Sequence, residues 1–222
     1  MIKQIARAFV PLLAVLPLHS FAAPVTVTTQ TSGISEWRNP TLLYTLGMND
    51  SDDYSPLPYE MRLQSSFDTD VNFSIWNDST HLWVSNVDLS VTFKLGTETF
   101  EKHGKGTVIL SSTPGGYTQE VSFSSPIYSR IVYFQNNLNA DQSEAGGDPL
   151  NPRNLNATGT TAGFMAIDAI SSHSDIPGLW SMGDSATSSS VVVSSVPEPS
   201  QWAMMAAGLL ATTVVARRRR QA

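Results

Sequence analysis

In Val87-Asp88-Leu89-Ser90-Val91-Thr92-Phe93-Lys94-Leu95 every odd position is apolar and every even position polar. A strict period of two is the mark of a strand with one dry and one wet face, and it commits the neighbouring chain to an antiparallel sheet covered on one side. Further strand-like runs lie at Val71–Trp76, His81–Ser85, Thr97–Lys102, Gly106–Leu110, Tyr117–Phe123 and Ile127–Gln135. They are separated by turn clusters such as Asn77-Asp78-Ser79, His103-Gly104-Lys105-Gly106, Thr113-Pro114-Gly115-Gly116 and Ser124-Ser125-Pro126. Ala162–Ile170 is apolar on both faces and reads as a central strand, with a short helix as the alternative. Short strands at this spacing predict an all-β body, residues 23–180, built as a single antiparallel β-sandwich or jelly roll. Asn136–Thr161 is polar and rich in Asn, Gly and Pro, so it reads as a long loop. Ser181, Ser185, Ser188, Ser189, Ser190, Ser194 and Ser195 make residues 181–195 read as a flexible linker after the folded body.

The N-terminus has the three parts of a secretory signal peptide over residues 1–22. Lys3 and Arg7 are basic, Ala8–Leu18 is mostly apolar, and Ser20-Phe21-Ala22 puts small residues where the peptidase reads them. Cleavage after Ala22 is expected, since a cut after Ala23 would place Phe21 three residues before the bond. The alternative is an uncleaved anchor, but Pro11 and Pro17 interrupt a short apolar run.

Residues 196–222 follow a different plan. Val196-Pro197-Glu198-Pro199 precedes an uncharged run at 202–216, which ends directly on Arg217, Arg218, Arg219 and Arg220. As a helix the run is about 22 Å long, against about 30 Å for a bilayer core, so length alone does not decide the matter. The flanks do. Four arginines held in the cytoplasm stop transfer, and Trp202 sits where an interfacial aromatic belongs. Two prolines fix φ and remove backbone donors, which keeps residues 197–199 extended enough for a protease groove.

This tail resembles the PEP-CTERM family of sorting signals: a Pro-Glu-Pro motif, a short hydrophobic helix and a basic end. The resemblance covers only residues 196–222. It implies that Pro197, Glu198 and Pro199 are recognition residues for an exosortase-like processing protease. It further implies a Gram-negative, exopolysaccharide-making source. The body would be held outside the inner membrane by the C-terminal helix, then cut and delivered to the outer envelope or extracellular matrix. A permanent single-span anchor is the rival reading.

Charge narrows the partners. Of 19 acidic and 13 basic residues, all the acidic ones except Glu198 lie between Ala23 and Val196, whereas six basic ones lie in the termini. An acidic body offers no counterion release from phosphates, which argues against nucleic acid. The chain has no cysteine, so disulfides and thiolate sites are ruled out. No cofactor is expected. Asp50, Asp52 and Asp53 could bind Ca²⁺ through an oxygen-rich loop, but EF-hand spacing is missing and a solvated acidic loop is the favoured reading. Trp37 and Trp180 are candidate stacking surfaces for a glycan such as exopolysaccharide, whereas Trp76 and Trp83 are assigned to the core. Glu98, Glu101 and Glu120 could supply a glycosidase-like carboxylate pair if folding set two of them at the right separation, and His81 and His103 belong to no recognisable catalytic motif. The expected role is therefore non-catalytic: structural, adhesive or glycan-binding in the cell envelope or matrix. A secreted polysaccharide-acting hydrolase is the alternative.

Overall fold

The computed structural model describes residues 24–36, 38–49, 55–68, 74–125, 130–140, 145–171 and 179–195. The signal peptide with Ala22 and Ala23, Trp37, the acidic run Asp50, Asp52 and Asp53, and the tail 196–222 lie outside them. The described elements are β1 (Val25–Ser35), α1 (Pro40–Thr45), β2 (Leu57–Phe67), β3 (Ser74–Asn77), β4 (His81–Leu95), β5 (Glu98–Thr113), β6 (Gly116–Ser125), β7 (Arg130–Asn139), β8 (Arg153–Ser171) and β9 (Leu179–Ser195).

The expectation of an all-β antiparallel body holds, but the sandwich does not. Each long strand pairs with the next in sequence, β2 reaches past β3 to pair with β4, and β9 returns to β1. The result is a closed, up-and-down barrel of eight strands, with β3 a short flap on the start of β4. Alternation within one strand fixes which face is dry; it is silent on whether the two outermost strands meet. Closure here depends on Val25–Ser32 pairing with Ser188–Ser195, across nearly the whole chain.

Three of the expected boundaries change with closure. The segment 181–195 is not a linker but most of β9, a stave bonded to β8 on one side and β1 on the other. Its inward positions are Met182, Ala186, Ser189, Val191 and Val193, all buried, and Ser181, Ser185, Ser188 and Ser194 are exposed. The expected loop Asn136–Thr161 shrinks to the connection 140–152, because β7 runs to Asn139 and β8 starts at Arg153. The expected turn at His103–Gly106 is continuous β5, opposite a bulge in β4 at Asn86. The reading of Ala162–Ile170 as a strand agrees with β8.

Bulges let long strands bend around a barrel. They fall at Ser32/Gly33, Ser85/Val87 and Thr158/Gly163, each beside a glycine that the packing requires. A Cβ on Gly106 would lie 2.3 Å from the carbonyl oxygen of Ser122, and one on Gly163 only 1.9 Å from that of Asn137.

The interior is filled. Phe93, Tyr117, Phe123, Phe134, Met61, Leu63, Leu110, Leu138, Met165 and Ile167 are wholly buried. Phe134 stacks on Phe100 at 5.4 Å and meets Phe123 edge-on at 6.5 Å. The outer face carries ion pairs, Lys94 with Glu60 at 3.5 Å and Lys105 with Asp88 at 2.8 Å. Apolar inside and charged outside is the reverse of a membrane-spanning barrel, so this wall faces water.

One belt of the interior is polar. The amide of Asn136 (β7) donates to Thr29 Oγ1 (β1) at 3.2 Å and to the Met61 carbonyl (β2) at 3.1 Å. Thr31 Oγ1 donates to Asn136 Oδ1 at 2.6 Å. Next to it, Gln119 (β6) accepts from Thr29 Oγ1 at 2.8 Å and donates to Ser65 Oγ (β2) at 3.0 Å. Buried amides survive only when bonded, and these bonds tie the β1/β2 wall to the β6/β7 wall.

Trp83 is a smaller correction. Its side chain is 37% exposed on the outer face of β4 instead of lying in the core, since Leu82 and Val84 take the inward positions. The side chain of Trp76 is not among those described.

Candidate functional site

An up-and-down barrel with an even number of strands brings its first and last residues to the same end. Here Val25 is registered against Ser195, and Thr26 against Ser194. The chain therefore enters β1 and leaves β9 at the same rim. This rim also carries a cleft of about 300 Å³ lined by Pro24, Ser66, Phe67, Asp68, Asn86, Asp88 and Lys105. Asn86 takes a left-handed φ of 60° at the β4 bulge, which turns the strand at the cleft.

The connection between β7 and β8 closes the same end. Arg153 Nη1 donates to Ser112 Oγ at 2.6 Å, and its guanidinium lies 5.7 Å from the Tyr117 ring centre. The Tyr117 hydroxyl donates to the Pro149 carbonyl at 3.1 Å. Burial pushes the pKa of that hydroxyl well up, Arg153 pulls against it and Asp148 adds to it. Leu155 and Ala145 are buried beneath.

The last residues of β9 are firmly held. Val191 and Val193 are core residues, and Val193 is flanked by Val27 and Arg153 on its two sides. Ser194 and Ser195 are paired with β1. Among the described residues, the barrel thus keeps its order up to the residue before Val196.

Trp37 lies in the connection between β1 and α1, and Asp50, Asp52 and Asp53 lie between α1 and β2, all outside the described residues. Trp180 is at the start of β9, registered against Ala169. Asn39 caps α1, accepting from Leu42 N at 3.1 Å, and Leu42 and Leu43 pack that helix on the barrel. Beside it a cleft of about 370 Å³ is lined by Arg38, Leu43, Asn49, Leu57, Leu95, Gly96, Thr97 and Glu98. Arg38 is buried and donates to the Ser55 carbonyl at 3.0 Å. Among the described residues no three His, Asp or Glu side chains are grouped to hold a metal.

Glu120 does not converge with the other two candidate carboxylates. Glu120 on β6 faces Ile109 of β5, whereas Glu101 lies eight residues down that strand, about 25 Å away, and Glu98 is farther still. Glycosidase carboxylates sit within about 10 Å of each other. The carboxyl of Glu120 is held above the usual range by burial and by Asp168. His81 belongs to a turn: Asp78 Oδ1 accepts from Thr80 N at 2.8 Å, His81 N at 2.7 Å and Thr80 Oγ1 at 3.0 Å, and lies 3.3 Å from His81 Nδ1. Those bonds, led by the one from the Thr80 backbone, lower the pKa of Asp78. His103 is exposed on β5.

No helix among the described residues is long and apolar enough to cross a membrane; the run 202–216 lies beyond them. No curated protein and no solved structure matches the chain. The family model of the PEP-CTERM protein-sorting motif matches residues 195–220, so the chain carries that sorting motif at its C-terminal tail, beginning where β9 ends.

Proposed function

We propose that this is an exported cell-envelope or exopolysaccharide-matrix protein with a non-catalytic structural, adhesive or glycan-binding body. The observation that carries the reading is the PEP-CTERM motif at 195–220, which supports an exported protein sorted by an exosortase system. The signal peptide directs export, and the C-terminal helix then holds the barrel outside the inner membrane, with Arg217–Arg220 in the cytoplasm. The register of Val25 with Ser195 supports a common orientation for both segments, since a single rim then faces the bilayer. The far end, with α1 and the Trp37 and Asp50–Asp53 connections, faces outward and is where glycan contact or a Ca²⁺ ion would be met. A water-facing outer wall rich in Ser, Thr and Asn suits a protein embedded in hydrated polysaccharide.

Replacing Pro197, Glu198 and Pro199 together by alanine tests the sorting. Full-length chain should accumulate in the inner-membrane fraction, and the outer-envelope form should disappear. An unchanged distribution contradicts the reading. For the body, the mature protein should be retarded on the host's own exopolysaccharide; free passage with and without Ca²⁺ removes the glycan-binding part and leaves a structural one.

A further inference from the structure

We propose that the cleft beside α1 holds a carboxylated sugar unit, a uronate, and that Arg38 pairs with its carboxylate. The proposal rests on the glycan-binding reading; it names the site and the chemical class of sugar that the reading leaves open.

The cleft is built where three pieces of the barrel end meet. β2 starts and β4 ends here side by side, with Tyr59 registered against Leu95. The chain then doubles back into β5 through Gly96 and Thr97. Gly96 takes a left-handed φ of 57°, and its N–H donates to the Pro58 carbonyl at 2.8 Å. α1 supplies the third side. Leu43, Leu57 and Leu95 give the cleft an apolar surface, and Arg38, Thr97 and Glu98 add polar groups to it. Its volume of about 370 Å³ is at the small end of ligand sites, which suits a sugar unit at a chain end or branch better than a long run of polymer. A pyranose matches such a lining: its ring C–H groups pack on leucine, and its hydroxyls bond to the polar side chains.

Arg38 decides the class. It is 7% exposed, lines the cleft, and donates from Nη1 to the Ser55 carbonyl at 3.0 Å. Its guanidinium stays charged at every pH a protein meets, and a charge taken out of water is costly unless it is paired. Holding the Ser55 carbonyl takes one N–H, which an uncharged amide would supply as well. A planar fork of five donors is instead matched to a carboxylate, through two parallel bonds. Among the described residues lining the cleft, Arg38 is the one cation and Glu98 the one anion. Glu98, half-buried at the start of β5, accepts from sugar hydroxyls. Its charge also disfavours a phosphate dianion more than a carboxylate monoanion.

Titration calorimetry of the mature protein with tetragalacturonate, its methyl ester and a neutral glucose tetramer tests the proposal. At low ionic strength the acid should bind about tenfold or more tighter than the ester, with the gap narrowing as salt is added. Glu98→Gln should tighten binding of the acid several-fold, and Arg38→Met should erase the preference for it. Because Arg38 also holds Ser55, its variant can disturb the 36–56 connection. Thr97→Trp is therefore the second variant: on an exposed turn, it fills the cleft and should abolish binding without lowering the melting temperature. Equal affinity for acid and ester, or full binding by Thr97→Trp, overturns the proposal. No binding of the acid by a protein that is still retarded on the host's exopolysaccharide overturns the proposal and leaves the glycan-binding reading standing. No binding together with free passage on that exopolysaccharide overturns both.

Discussion

At the level of single residues, the barrel is most exacting where backbones touch. Gly163 stands at the β8 bulge with the Asn137 carbonyl in the place of a Cβ, whereas a Cβ on Gly183 would meet nothing nearer than 3.5 Å. Gly163→Ala should therefore cost about 3 kcal/mol or more through forced backbone movement, and Gly183→Ala less than about 0.5 kcal/mol; thermal melts of the two variants make the comparison. The polar belt is the second sensitive place. Asn136→Ala strands the hydroxyl of Thr31 and the carbonyl of Met61 and opens a void, so a loss of about 2–4 kcal/mol is expected in urea unfolding. Glu120 behaves in the opposite sense. Its carboxyl binds its proton more tightly folded than unfolded, because burial and Asp168 disfavour the charge. Wild-type stability therefore falls as pH rises from the ordinary carboxylate range through the raised value. Glu120→Gln removes that loss, so the variant should melt about 1 °C higher at pH 7. The advantage should vanish below about pH 4, where the wild-type carboxyl is protonated in both states.

The elements show why some of the barrel is readable and some is not. β4 announces itself because its inward residues, Val87 to Leu95, are all apolar. β1 has the same buried alternation, but its inward side chains include Thr29 and Thr31, which bond to Gln119 and Asn136 across the interior. A polar inward face looks like a wet one from the sequence, and the partners that make it dry lie about a hundred positions away. β9 is hidden by the same effect and by serine on its outer face, so the stretch takes on the composition of a spacer. β2 buries Tyr59, Met61 and Leu63 at alternate positions, a strand that the expected set does not include, and the pairing that closes it against β4 skips over β3. The sorting motif, by contrast, is local and needs no folding to be seen; its lack of a spacer could come only from the far partner of Ser195. Truncation separates the two descriptions of 181–195. A chain ending at Ser195 should fold with a cooperative melt, and one ending at Trp180 should lose it, since removing β9 leaves β1 and β8 unpaired at the seam and uncovers the core that Met182, Val191 and Val193 fill. Equal melts would mean that β9 is dispensable.

For the molecule as a whole, closure and addressing are one arrangement. Eight antiparallel staves in chain order put β1, the first strand, beside β9, the strand that runs into the sorting motif. On the proposed reading the body is thereby presented by one rim and displays the other. The acidic, water-facing wall gives the body no reason to enter the bilayer, so on the proposed reading attachment is left to the C-terminal tail. Everything in this account depends on β9 being a stave. Amide hydrogen exchange of the mature protein, read by mass spectrometry on peptides covering 186–195, tests that most directly. The account predicts protection of this stretch equal to that of β7, lost only on global unfolding. Exchange of 186–195 within seconds, beside a protected β7, would contradict it.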